Sequence, residues 1–311
     1  MAQQRESWPD VLRGMGILFV VLVHIRFFAS APLGYVPNWA LTFAAAAAPF
    51  YLPALFFVSG YFVPTSLRRG RLRFVWIKVL TLAWPLLLWN VINTWRGMDL
   101  TSISDFLRVS YLWFLLYLFI YSALAALLKG VPAWIPFAIS MVLPVLVSGP
   151  SVMDLDRVFD FAPYFFAGMV ASRWRDSIMR WSKTPLAVVA VIAGLAGCVW
   201  SAFPGSIVAP MIQIISLAAI AAGVVLSAWV TLATPTLCKV FRWLGMHSLE
   251  IYVLHWQIGL LIASWWPPFS DARLAFFVVG STVMALACVA SWLFKKPGLR
   301  LAFSLRSLTR I

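Results

Sequence analysis

Residues 11–29 read VLRGMGILFVVLVHIRFFA, and this stretch decides the class of the chain. As a helix it would rise about 28 Å, close to the roughly 30 Å of hydrocarbon in a bilayer. Working outward, comparable apolar runs follow at roughly 41–63, 75–94, 107–128, 133–149, 158–172, 185–203, 208–232, 246–266 and 273–294. The 311 residues are 63% hydrophobic and 11% charged, with a mean hydropathy of +0.92, far more apolar surface than one soluble core could hide. Backbone polar groups in hydrocarbon must be satisfied within the segment, so these runs predict helices. The period-two alternation of an outer-membrane barrel is absent. The expectation is an all-α polytopic membrane protein of about ten transmembrane helices, one membrane domain over 1–311, set in the cytoplasmic (inner) membrane among its lipids.

The charge pattern predicts which way the chain faces. A formal net charge of +14 would point a soluble protein toward nucleic acid, but here the cations sit between apolar runs, and no nucleic-acid partner is expected. Alternate connections hold Arg68, Arg69, Arg71 and Arg73, then Lys129, then Arg173, Arg175, Arg180 and Lys183, then Lys239 and Arg242, and finally the basic tail from Lys295. The connections between them hold few cations and most of the acids, among them Asp99, Asp105, Asp154, Asp156 and Asp271. Under the positive-inside rule both termini are cytoplasmic. Ala29-Ser30-Ala31 imitates a signal-peptidase site, but Pro32 directly after it, and His24 and Arg26 before it, argue against cleavage. Three cysteines, Cys198, Cys238 and Cys288, lie in or beside apolar runs and read as packing residues rather than a disulfide framework.

Ionisable groups inside apolar runs carry the functional signal, because each costs about 2.5–3.5 kcal/mol near the bilayer centre. In the first run Asp10, Arg13 and His24 share a face: eleven steps of about 100° return His24 to within about 20° of Arg13, and the two lie about 16 Å apart along the axis. In the ninth run Ser248, Tyr252 and His255 have the i, i+4, i+7 spacing of one helical face, with Glu250 turned elsewhere. Either set could equally be an interfacial ion pair or a helix-to-helix hydrogen bond. Arg68, Arg69, Arg71 and Arg73 would ordinarily set topology or meet lipid headgroups, yet their guanidinium forks also suit the phosphates of a nucleotide-bearing cofactor.

These strings, in this order, resemble the acyltransferase-three family of bacterial integral-membrane O-acyltransferases. The resemblance is carried by Arg13 and His24 in the first run, by Phe56-Phe57-Val58-Ser59-Gly60-Tyr61 leading into the arginine-rich loop, by Tyr111-Leu-Trp-Phe-Leu115, and by Ser248-Leu-Glu-Ile-Tyr-Val-Leu-His255. It implies a ten-helix enzyme that takes an acyl group, most often acetyl, from cytoplasmic acyl-CoA and places it on a hydroxyl of a glycan, glycolipid or other small acceptor. Compact stand-alone members of this kind modify sugars.

The residues admit a mechanism for such a transfer. O-acylation needs a base for the hydroxyl, and an imidazole with an unperturbed pKa near 6.5 supplies one at neutral pH. His24 is the candidate base, with His255 and Ser248 as further candidates, and Arg13 and Asp10 in binding or structural roles. Arg68, Arg69, Arg71 and Arg73 are the candidate donor-binding residues for acyl-CoA, acetyl-CoA above all. No Gly-x-Ser-x-Gly elbow points to an acyl-serine, and His24, His247 and His255 without a supporting Cys or Asp cluster do not make a metal ligand set. The rival class is a transporter or flippase that uses the intramembrane charges as a substrate or proton path; paired broken helices in corresponding halves, its expected sign, are not evident.

Overall fold

A computed structural model of the chain describes residues 6–95, 111–146, 156–203, 205, 209–265, 271–296 and 298–305. The described residues are helical, with no strand among them. Helix α1 spans Trp8–Leu33, followed by α2 Asn38–Ala47, α3 Tyr51–Tyr61, α4 Val63–Leu67, α5 Arg71–Lys78, α6 Trp84–Trp95, α7 Trp113–Leu127, α8 Trp134–Leu146 and α9 Asp156–Ala171. The second half adds α10 Arg175–Trp181, α11 Pro185–Trp200, α12 Ala209–Ala233, α13 Pro235–Met246, α14 Ser248–Trp265 and α15 Ala272–Leu293. Each of the ten apolar stretches contains helix. By length and hydropathy five described helices can cross a membrane, or six if a bent pair is one span. Arg5, Arg96, Asp99, Asp105, Asp154, Arg306 and Arg310 lie outside the described residues, as do 107–110 and 147–149 of the expected spans.

The local sequence accounts for where helices start, bend and stop. Pro9 in the first turn of α1 needs no intrahelical donor there, and Asp10 complements the positive end of the helix. Gly34, at φ 75°, closes α1 with its N–H on the Ser30 carbonyl. The second apolar stretch breaks between Ala47 and Tyr51, where Pro49 cannot donate to the preceding turn. In the third, a π-helical segment at Val79–Ala83 precedes Pro85 and absorbs the bond that the proline cannot make.

The chain divides into two compact units, 1–58 with 174–292, and 59–173 with 293–311. In the first, α1 is the central element, packed on α13, α14 and α12. Helix α13 crosses its N-terminal end at glycines: a Cβ on Gly14 would lie 1.9 Å from the Phe241 carbonyl oxygen, and one on Gly245 would lie 1.9 Å from the Asp10 carbonyl oxygen. Gly194 gives α11 the same close approach to α12, at Ala218 and Ala222. In the second unit α7 and α9 meet through an aromatic ladder, Trp113 on Phe161 and Tyr121 on Phe165, and the Tyr121 hydroxyl donates to the Val158 carbonyl. The indole N–H groups of Trp84 and Trp89 donate to the carbonyls of Leu301 and Ala302 at 2.7 and 3.1 Å, tying part of the expected basic tail to α6.

Candidate active site

Two imidazoles meet within the first unit. His24 on α1 and His255 on α14 have ring centroids 5.2 Å apart, with the planes inclined at 49°. Each ring is tied to its own helix one turn back: Nδ1 of His24 lies 2.7 Å from the Val20 carbonyl oxygen, and Nδ1 of His255 lies 3.1 Å from that of Ile251. A carbonyl oxygen can only accept, so both Nδ1 atoms carry the proton and both Nε2 atoms keep a lone pair. Nε2 of His255 is buried without a hydrogen-bond partner among the described residues. Burial separates the two, for His255 is fully buried while His24 is only partly so.

Aromatic rings hold the pair. Trp256 stands edge-on to His24 at 5.5 Å, Phe27 lies 5.9 Å from His24, and Phe28 packs on both His255 and Trp256. Tyr252 lies 6.0 Å from His255. Gly259 makes room for this cluster, since a Cβ there would lie 2.4 Å from the Phe28 ring. The aromatic shell narrows the rotamers open to each imidazole, and His255 is wholly buried within it.

The other sequence candidates lie elsewhere. Asp10 and Arg13 pair at 4.0 Å near the start of α1, about 21 and 16 Å respectively along the continuous helix from His24. The carboxylate side chain of Asp10 is buried under the α13 crossing. Ser248 begins α14, about 10 Å along its axis from His255. In the second unit Arg68, Arg69, Arg71 and Arg73 are all exposed around Gly70, whose φ of 107° makes the turn into α5. Arg71 commits one donor to the Lys129 carbonyl at 2.5 Å. Among the described residues no group of three His, Cys, Asp or Glu could hold a metal.

A family model described as an acyltransferase domain, that of the acyltransferase-three family, matches residues 6–294. The chain belongs to this family. No curated protein and no solved structure matches it. As an acyltransferase-three protein it is a membrane acyltransferase, and both imidazoles and all four loop arginines fall within the matched residues. Sequence reasoning about this acyltransferase missed the aromatic shell. Trp256 follows His255 directly and Phe27 and Phe28 lie one helical turn after His24, but aromatic residues are so common in membrane helices that such spacing alone carries no signal.

Proposed function

We propose that this acyltransferase moves an acyl group, in the first instance acetyl, from cytoplasmic acyl-CoA to a hydroxyl of a glycan or lipid-linked acceptor, with His24 as general base. The observation that carries the reading is the tautomer of His24: Nδ1 spent on the Val20 carbonyl and Nε2 left as an acceptor on a ring that is only partly buried. In the reaction the acceptor hydroxyl gives its proton to Nε2 as its oxygen bonds to the thioester carbon. The C–S bond then breaks, and the proton passes from the imidazolium to the departing thiolate. His255, neutral and buried beside His24, supports the imidazolium while it lasts. Arg68, Arg69 and Arg73, whose side chains engage none of the described residues, offer guanidinium forks for the donor phosphates, and Arg71 offers the donors not engaged by Lys129. The alternation of basic connections supports ten crossings of the cytoplasmic membrane with both termini inside.

The test is thiol release from labelled acetyl-CoA by purified protein in nanodiscs supplied with a glycan acceptor. His24→Ala should lower turnover by about 10²- to 10⁴-fold while the protein stays inserted and folded. Near-normal turnover in that variant would remove His24 from the mechanism.

A further inference from the structure

A slot of about 250 Å³ lies between α1, α2, α11 and α12, on the side of α1 away from His255. Its walls include Phe19, Phe43, Phe50, Leu195 and Gly223, and the only heteroatoms among its lining side chains are the sulfurs of Met15 and Cys198. Water has nothing to bond there, and an apolar cavity of this kind takes hydrocarbon instead. It is not sealed: Phe43 and Leu195 on its rim are exposed.

A cation lies beyond the lining residues of this slot on α1. Arg26 follows Phe19 by seven residues, so it projects within about 20° of the same face and about 10 Å further toward the C-terminal end of α1. It is half-buried, and among the described residues it has no acidic partner. Its guanidinium lies over the Phe27 ring, 4.7 Å from the centroid. A guanidinium held inside a membrane helix needs an anion or water. An alkyl slot beside a guanidinium that has no acidic partner among the described residues is complementary to an apolar chain ending in a phosphate.

We infer that Arg26 and the slot bind a phosphate-bearing membrane lipid, the chain lying along Phe19 and the phosphate on the guanidinium. The inference rests on the reading of the acceptor as lipid-linked and deepens it: the guanidinium lies over the Phe27 ring, which is itself 5.9 Å from the His24 ring, so a phosphate held there keeps the group attached to it near the base. Arg26 is thereby a specificity-determining residue for acceptors carried on lipid phosphates.

The experiment measures lipid retained on the detergent-purified full chain by native mass spectrometry, without acyl-CoA. The probes are phosphatidic acid and the diacylglycerol with the same chains, which differ only in the phosphate. Wild type should retain phosphatidic acid at least tenfold better than diacylglycerol. Arg26→Gln should erase the preference and Arg26→Lys should keep part of it. To block the slot in protein already folded, Cys198 is alkylated with a maleimide in a Cys238→Ser, Cys288→Ser background, which should abolish retention of both lipids. Equal retention of the two lipids, an Arg26→Gln variant that behaves as wild type, or undiminished retention after alkylation would overturn the site. Displacement by millimolar inorganic phosphate would also overturn it, as the mark of a free-anion site. Because retention is read without acyl-CoA, the two readings fail separately. Selective retention without acyl transfer leaves the site and removes the acceptor reading, whereas transfer by a protein lacking selective retention removes the site alone.

Discussion

His24 and His255 come from opposite ends of the chain, and each is an ordinary buried histidine until the other stands beside it. Their separate tautomers are set locally, by carbonyls one turn back, but the pairing makes a proton on His24 chemically different from a proton on an isolated imidazole. His255→Gln removes the imidazole facing His24 while keeping a polar side chain. It is expected to lower the turnover number by about 10- to 100-fold, less than loss of the base itself, with the KM for acyl-CoA unchanged. Initial-rate kinetics over a range of acyl-CoA concentrations check this, and a rise in KM without a fall in turnover would place His255 in donor binding instead. The surrounding rings supply rigidity. Gly259→Val would drive a side chain into Phe28, and the expected result is loss of transfer with a lowered melting temperature in detergent.

At the level of helices, the α1–α13 crossing fixes the N-terminal end of α1. The sequence shows Lys239 and Arg242 in that region and reads a cytoplasmic loop, whereas the chain forms a twelve-residue amphipathic helix whose buried side holds Leu244 and Gly245. Gly245→Val places carbon atoms where the Asp10 carbonyl already is. It should destabilise the protein by about 1–3 kcal/mol or more, read as a lowered unfolding temperature of the detergent-solubilised chain. The α4–α5 turn makes a different prediction. Arg69 is exposed and engages no described residue, so Arg69→Ala should raise the KM for acyl-CoA several-fold with little change in turnover. Arg69→Lys should restore only part, since it keeps the charge and loses the planar fork. Unchanged donor affinity at low and high salt would return the loop to a purely topological role. Arg71 is the less informative position, because its bond to the Lys129 carbonyl adds a structural loss to any loss of phosphate contact.

Over the whole molecule, the family match runs through both compact units, so neither unit is by itself the matched domain. Orientation is the property to measure at this scale. Reporter fusions after Gly70 and after Arg310 should read as cytoplasmic, and fusions after Met98 and after Met153 as external. An external signal at Gly70 would reverse the assignment of every connection and take the arginine loop away from a cytoplasmic donor.

The sequence by itself determined the helical class, the ten apolar stretches, the family and the polar residues to watch, because these depend on composition, on run length and on spacing along one helix. The rule that hydrocarbon forbids unsatisfied backbone makes such local information sufficient for helices. Tertiary structure alone decided which of those residues meet. On the one-dimensional wheel Asp10 and Arg13 share a face with His24, yet the partner in contact with His24 is His255, brought in by a helix from the far end of the chain. Ser248 shares a face with His255 and still lies about two turns away from it. The same holds for Arg26, which in sequence is one more charge near the end of a span. It becomes a candidate ligand for phosphate only because α2, α11 and α12 enclose an apolar slot along the same face of α1, and proximity between separate helices is not encoded in the period of any one of them.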